Sequence, residues 1–145
     1  MKKLLVAVLA CFAITQVHAA HATWLTSLSQ AQAQAKAENK LILMNFTGSD
    51  WCPWCIKLDK DTLDQQQFVD YANKNLVLVT VDFPQNKEQP ADLKAANAAL
   101  AKKYDVSGFP TLVVAKPDGT AVWTQVGYLE GGPEALISQL ETKSK

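Results

Sequence analysis

The alternation of apolar and polar positions along the chain predicts four strands and five helices. Residues 76–82 form a continuous apolar and β-branched run, as expected for a central strand that is buried on both faces. The other strands are predicted at residues 41–46, 111–115 and 121–126. The first helix is predicted to follow a cap at Thr26 or Ser27. The helices are predicted at residues 24–39, 53–63, 65–73, 91–104 and from 131–133 onward.

The order of these elements predicts a single α/β domain. A helix lies between each pair of the first three strands, which implies parallel neighbours joined by right-handed crossovers. A tight turn at residues 116–119 then joins the last two strands into an antiparallel hairpin at the edge of the sheet. In the final helix, Leu136, Ile137 and Leu140 are expected to face the core.

The first 22 residues have the pattern of a secretory signal peptide. Lys2 and Lys3 precede an apolar run at residues 4–14, and small residues follow it. This run is shorter than the roughly 20 residues that span a bilayer, so we expect cleavage rather than a membrane anchor. The pattern therefore predicts export.

Two cleavage sites fit, after Ala19 or after Ala22, and the sequence does not choose between them. Residues 8–11 resemble a bacterial lipobox, but Cys11 lies too early in the signal for us to expect a lipoprotein. The mature domain is predicted at residues 23–145, a length that can bury one core.

Removal of the signal leaves two of the three cysteines, Cys52 and Cys55. Two thiols separated by two residues can close a disulfide only with each other, and so short a loop makes a poor structural staple. Pro53 suits the first turn of a helix, which places Cys52 near the N-cap. There the free N–H groups and the helix dipole are expected to lower the pKa of the thiol. Cys52 is therefore the predicted nucleophile and Cys55 the resolving thiol of a redox pair.

Composition argues against several other functions. The chain has 14 basic and 14 acidic residues and no arginine, so we expect no nucleic-acid partner. Both histidines, His18 and His21, lie near the cleavage region, which argues against a protease or hydrolase that uses histidine. Two thiolates fall short of the four ligands of a structural zinc site, so we expect no metal and no cofactor.

Two motifs in this element order give the chain a family resemblance. The WCPWC motif at residues 51–55 follows the first predicted strand, and the GFPT motif at residues 108–111 precedes the hairpin. Together they resemble the thioredoxin fold, over nearly the whole mature chain. The sequence is most similar to small exported thioredoxin-like proteins, among them bacterial periplasmic disulfide reductases with GSDWC before the helix, as at residues 48–52 here.

The resemblance implies a central mixed sheet of about four strands with helices on both faces. It also implies a cis peptide between Phe109 and Pro110, packed opposite the two sulfurs, with backbone that can pair with an extended substrate. Trp51 and Trp54 would form an apolar rim around the nucleophile. The predicted substrate-binding residues are Trp51, Pro53, Trp54, Phe109, Pro110 and Thr111.

The sequence departs from the family pattern at one position. Thioredoxins commonly place a buried aspartate on the strand before the active site, as a proton acceptor for the resolving cysteine. The corresponding positions here are Asn45 or Phe46, which cannot take a proton. Asp50, Asp59 and Lys57 are charged neighbours in sequence; help with the proton transfer through water is one interpretation of each, and a solvated surface charge is the other.

The predicted function is that of a periplasmic thiol-disulfide oxidoreductase that reduces protein disulfides. Pro53 and Trp54 carry no charge that would stabilise the Cys52 thiolate strongly, which favours a reductant over an oxidant. A membrane thiol donor would then supply electrons to a monomer. The alternatives left open are a disulfide isomerase, an oxidase, a client-binding chaperone-like module with a non-essential CxxC, and a carrier of a soft cuprous ion.

Overall fold

The computed structural model describes residues 21–143, so the predicted signal peptide lies almost wholly outside the described residues. Five strands form one sheet in the order β1-β3-β2-β4-β5. The strands are β1 Trp24–Leu25, β2 Leu41–Thr47, β3 Leu76–Asp82, β4 Thr111–Ala115 and β5 Ala121–Val126. The helices are α1 Leu28–Glu38, α2 Pro53–Leu58, α3 Gln66–Asn75, α4 Ala91–Lys103 and α5 Gly132–Lys143.

Helices cover both faces of the sheet, as predicted. One face packs Leu43, Leu78 and Leu112 against α3 and α5, where Phe68 and Leu136 are buried. The other face packs Ile42, Met44, Phe46 and Val79 against the alanine-rich side of α1, and against α4. The burial of β2 and β3 on both faces explains why their sequences are almost continuously apolar.

The prediction of a helix from residue 24 was wrong at its start. Trp24 and Leu25 form β1, a short edge strand that pairs in parallel with β3. Trp24 packs against the core of one sheet face and Leu25 against the core of the other, which is the alternation of a strand. Helix α1 begins only after Ser27, whose Oγ accepts the Gln30 N–H and caps the helix.

The predicted parallel direction of the third long strand was also wrong. β2 and β3 are parallel, but β4 runs antiparallel to β2, with Thr111 opposite Phe46. After α4 the chain turns at Asp105, which has a positive φ of 53°, and residues 106–110 return to the end of the sheet where β2 finishes. This extra return segment reverses the strand that follows it.

The predicted helix at residues 53–63 contains a change of hydrogen-bond pattern. After α2 the chain continues as a π-helical turn, Asp59–Leu63, in which the Asp64 N–H donates to the Asp59 carbonyl at 2.8 Å. Such turns occur frequently at functional sites. Within residues 21–143, no helix is both long enough and apolar enough to cross a bilayer.

Candidate active site

The two cysteines lie at the start of α2, immediately after the loop that follows β2. Cys52 is the N-cap residue and is joined to Cys55 by a disulfide bond. The Cys52 sulfur also accepts the Cys55 backbone N–H at 3.2 Å. Cys52 is 5% exposed and Cys55 is 1% exposed. A hydrogen bond to sulfur favours the thiolate, so this geometry suits Cys52 to act as a nucleophile and shields Cys55 from solvent.

The loop before Cys52 is hydrogen-bonded to the last residue of β3 and to the segment that follows this strand. The Ser49 N–H and hydroxyl both donate to the Asp82 carboxylate, at 3.0 and 2.6 Å. The Asp50 carboxylate accepts the backbone N–H groups of Gln85 and Asn86, and the bond from Gln85 is the main cause of its lowered pKa. Asp50, one of the three charged residues considered for proton transfer, thus holds the active-site loop in place.

Trp51 is also hydrogen-bonded to the segment after β3, and its indole packs against Gly48 of its own loop. Its indole Nε1 donates to the Phe83 carbonyl at 2.8 Å, and 37% of the residue is exposed. A Cβ at Gly48 would lie only 2.6 Å from that nitrogen, so residue 48 must lack a side chain. Glycine at this position therefore has a packing reason.

The loop before β4 packs against Trp51, the residue that precedes Cys52. The Phe109–Pro110 peptide is cis, as predicted. The Phe109 ring stacks on Phe83 with centroids 5.0 Å apart and meets the edge of Trp51 at 6.1 Å. Pro110 is buried, and its carbonyl accepts the Gly127 N–H at 2.8 Å.

A groove of about 330 Å³ opens between this loop and α2. It is lined by Trp54, Phe109, Pro110, Gly127, Tyr128 and Glu130. The predicted substrate-binding residues Trp54, Phe109 and Pro110 therefore come together. Pro53 is exposed at the first position of α2. Thr111 lies elsewhere, because it is buried and its hydroxyl donates to the Gly108 carbonyl at 2.8 Å.

Tyr128 is a groove residue that the sequence analysis missed. Its ring lies 5.6 Å from that of Trp54, and the Lys57 ammonium sits 5.1 Å above it. The Tyr128 hydroxyl donates to the Asp61 carboxylate, which also forms an ion pair with Lys57. No motif marks Tyr128 in the sequence. The only feature that could have suggested a role for it is its position one residue after Gly127, whose N–H donates to the Pro110 carbonyl. Lys57 thus contacts the tyrosine that packs against the exposed Trp54.

Asp59 occupies a different environment from the other acidic residues of this region. It is partly buried, and one of its carboxylate oxygens accepts the Asn45 amide N–H at 3.3 Å. Burial raises the pKa of Asp59 to about 6, with a smaller contribution from the nearby Asp64 and against the effect of the Asn45 bond. Asn45 lies on β2 at one of the two positions where the family resemblance implies an acid. Its side chain therefore contacts an acidic residue, Asp59, that belongs to the π-helical turn.

Among residues 21–143, no group of three or more histidine, cysteine, aspartate or glutamate side chains is arranged to hold a metal ion.

Comparison with known proteins agrees with this geometry. The family model of the thioredoxin-like domain matches residues 28–143. "Disulfide bond reductase DsbH" of Chlamydia pneumoniae is 36% identical over 129 residues, which cover 89% of this chain and 76% of that protein. A solved structure described as "DsbH Oxidoreductase" aligns with a TM-score of 0.82 at 33% identity, over 95% of this chain and 94% of its own.

A further relative matches over a shorter stretch. "Thiol:disulfide interchange protein DsbD" of Vibrio cholerae serotype O1 is 34% identical over 88 residues, which cover 61% of this chain and 13% of DsbD. The likeness to DsbD is thus confined to a small part of that protein. From the family model, the DsbH relative and the paired cysteines, we conclude that this chain belongs to the thioredoxin-like family and is a thiol-disulfide oxidoreductase.

Proposed function

We propose that the protein reduces disulfide bonds of exported proteins in the periplasm. The observation that carries this proposal is the position of Cys52, which caps α2 two residues before the groove residue Trp54 and accepts a backbone N–H at its sulfur. The reductase direction is supported by the uncharged residues Pro53 and Trp54 between the cysteines. It is also supported by the similarity to DsbH, whose name states that activity.

The reaction proceeds in two exchange steps. The Cys52 thiolate attacks one sulfur of the substrate disulfide, forming a mixed disulfide and releasing the other substrate sulfur as a thiolate. The Cys55 thiol then loses its proton, and its sulfur attacks Cys52. The bond between Cys52 and the substrate breaks, the second substrate sulfur leaves as a thiolate, and Cys52–Cys55 is oxidised. The substrate has gained two electrons, which the protein must recover from a donor.

The groove supports a protein substrate in extended form. Trp54 lines the groove and is 57% exposed. Val126, next in the chain to the groove residue Gly127, is 67% exposed, and Ile56 of α2 is 49% exposed. Exposed apolar side chains around a groove are typical of a docking surface. A substrate segment would lie between Trp54 and the Phe109–Pro110 loop, with its cysteine over Cys52.

Export and electron supply complete the proposal. Residues 1–22 would act as a signal peptide that is cleaved after Ala19 or Ala22, and the mature protein at residues 23–145 would work as a monomer. A reductase in an oxidising compartment needs an external source of electrons. We propose a membrane thiol protein as that donor.

The activity is tested by the reduction of insulin with dithiothreitol as the electron source. We expect the mature protein to accelerate the reaction, Cys52→Ser to abolish the acceleration, and Cys55→Ser to accumulate a mixed disulfide with insulin. Failure of the mature protein to accelerate reduction would overturn the proposal. The location is tested by cell fractionation and by the mass of the mature N-terminus.

A second candidate function is a client-binding module that does not need its thiols. The observation in its favour is the exposed apolar surface at Trp54, Ile56 and Val126. A Cys52→Ser variant distinguishes the two functions, because binding of a reduced, unfolded protein survives this change whereas disulfide reduction does not. Prevention of aggregation by both wild type and Cys52→Ser would favour the binding module.

A further inference from the structure

The groove between α2 and the loop before β4 has a single charged residue in its lining. Among the described residues that line it, Glu130 carries the charge, and the others are apolar or aromatic side chains and one glycine. Glu130 is exposed, and within residues 21–143 its carboxylate has no ion-pair partner. This carboxylate is therefore available to a ligand that enters the groove.

The segment after β5 places Glu130 at the groove. Gly127 and Gly131 have positive φ angles of 82° and 93°, so the chain turns at both ends of the segment between them. The Gly127 N–H donates to the carbonyl of the cis-proline at 2.8 Å, which ties this segment to the loop before β4. Leu129 packs against the core, whereas Tyr128 and Glu130 line the groove. The carboxylate and the tyrosine ring thus come from the same short segment.

Two aromatic rings accompany the carboxylate. Trp54 is 57% exposed, and its ring centre lies 5.6 Å from that of Tyr128. The face of an aromatic ring attracts a cation that lies within about 6 Å of its centre, and tryptophan attracts it most strongly. Tyr128 already receives such a cation, because the Lys57 ammonium lies 5.1 Å from its ring centre. The exposed indole of Trp54 remains accessible to a cation from a ligand.

The charges beside the groove do not cancel the charge of Glu130. Lys57 forms an ion pair with Asp61, and the Tyr128 hydroxyl donates to the same Asp61 carboxylate. Because the Lys57–Asp61 pair has no net charge, the groove and this pair together keep the single negative charge of Glu130. A basic side chain in the groove gains an opposite charge, whereas an acidic one meets a like charge.

We propose that Glu130 selects substrates that carry a lysine or arginine two residues from the reactive cysteine. In an extended segment side chains alternate between two faces, so the residue two positions from the cysteine faces the protein together with the cysteine. Its stem packs on the apolar lining, and its cationic end lies over Trp54 and pairs with the Glu130 carboxylate. Glu130 determines specificity and takes no part in the sulfur chemistry. This inference rests on the proposed exchange function.

The test compares three peptides that differ in one kind of side chain. Each peptide has one cysteine joined to thionitrobenzoate, and the residues two positions before and after it are both lysine, both acetyl-lysine or both glutamate. Acetylation removes the charge of lysine. The Cys52 thiolate of the reduced mature protein attacks the peptide sulfur, and thionitrobenzoate leaves as a coloured thiolate. Its absorbance gives a second-order rate constant, which is divided by the constant for dithiothreitol to correct for the reactivity of the peptide itself.

We expect the wild type to prefer the lysine peptide to the acetyl-lysine peptide about 10-fold, and to react most slowly with the glutamate peptide. This preference combines an exposed ion pair with a cation over an indole ring. Trp54→Leu, which removes the ring and keeps an apolar side chain, should lower the preference about 2- to 5-fold. In about 1 M salt the preference should shrink, because charges are screened within about 3 Å.

The variants of Glu130 assign the preference to one carboxylate. Glu130→Gln should lower the preference for lysine about 2- to 5-fold, the contribution of an exposed ion pair. Glu130→Lys should react faster with the glutamate peptide than with the lysine peptide. The matched control is Glu134→Gln, which removes the same charge from an exposed glutamate of α5 that does not line the groove. This control should keep the wild-type preference.

Three results would overturn the inference. If the wild type reacts faster than dithiothreitol but with equal corrected constants for the three peptides, the selection is wrong and the exchange function stands. If Glu130→Lys still prefers the lysine peptide, or Glu134→Gln loses as much preference as Glu130→Gln, Glu130 is not the selecting residue. If the wild type reacts no faster than dithiothreitol at the same thiol concentration, the exchange function fails and the selection fails with it. The comparison of peptides on the wild type does not depend on the folding of any variant.

Discussion

Replacement of Asp59 by asparagine should stabilise the oxidised protein at neutral pH. Asparagine has the shape of aspartate and can still accept the Asn45 N–H, so the packing around residue 59 is retained. What the substitution removes is a negative charge in a partly buried position. Because burial disfavours that charge, the ionised form of Asp59 destabilises the fold.

The size and the sign of this effect follow from the pKa of Asp59. The pKa rises from 3.8 to about 6 on folding. Each unit corresponds to about 1.4 kcal/mol, or about 3 kcal/mol in all, and partial exposure of the side chain reduces this to about 1–2 kcal/mol. Asp59 binds its proton more tightly in the folded protein than in the unfolded chain, so the contribution of Asp59 to stability is most favourable below about pH 4 and is lost as the pH rises through about 6. Above that range the wild type carries the full cost and Asp59→Asn does not.

Urea unfolding of the oxidised protein at about pH 7 and at about pH 3.5 measures the difference directly. We expect Asp59→Asn to be more stable than the wild type by about 1–2 kcal/mol at the higher pH and nearly equal to it at the lower pH. The control is Asp64→Asn, an exposed change that should stay within about 0.5 kcal/mol of wild type. A variant that is less stable than the wild type at neutral pH, or whose advantage is the same at both values, would refute the reasoning.

Two further predictions concern the aromatic residues beside the cysteines. Gly48→Ala should displace the Trp51 indole, because the new Cβ would lie 2.6 Å from its nitrogen, and the tryptophan emission should shift to the red; Gly108→Ala has no atom within 4 Å of the new Cβ and should leave the spectrum unchanged. An unshifted spectrum for both variants would contradict the packing argument. Tyr128→Ala should release Trp54 and raise KM for an apolar disulfide peptide about 2- to 10-fold with kcat unchanged, the worth of one aromatic pair, whereas Tyr128→Phe should retain most of the affinity. Equal KM values for the wild type and Tyr128→Ala would exclude this support of Trp54.

Three of the four long strands could be predicted to the residue, and β2 to within one residue, because their sequences carry a strong local signal. Residues 76–82, 111–115 and 121–126 are bounded by polar or turn-forming residues, and the structure places strands there. The two-residue strand β1 is too short to show a period of its own. Its position depends on the pairing of Trp24 with Leu78, which no local pattern encodes.

The direction of β4 and the environment of Asp59 lay outside what local patterns can predict. A helix between two strands usually implies that the strands are parallel. This expectation fails for β4, because residues 106–110 return the chain to the end of the sheet where β2 finishes before β4 begins. The π-helical turn has an i to i+5 bond that no spacing of apolar residues marks. Within this turn Asp59 contacts Asn45, whereas Asp61 contacts Tyr128. From the sequence, Asp59 was also consistent with a solvated surface charge.

The candidate site was likewise predicted only in part. The cysteine pair and the cis Phe109–Pro110 bond were predicted, because short motifs specify them. The residues that support the site were not predicted, since Tyr128 meets Trp54, and residues 83–86 meet Asp50 and Trp51, only through tertiary folding. Thr111 belongs to the motif, yet its side chain faces the interior and fixes the loop.

The equilibrium redox potential of the Cys52–Cys55 pair tests the proposed reductase direction most directly. The mature protein would be titrated in dithiothreitol and glutathione buffers, with the fluorescence of Trp51 and Trp54 as the signal and thiol alkylation as an independent count. The account predicts a potential near the thioredoxin value of about −270 mV, because no charged residue lies between the cysteines to stabilise the reduced form. A potential near about −120 mV would contradict it and identify the protein as an oxidant of substrate thiols.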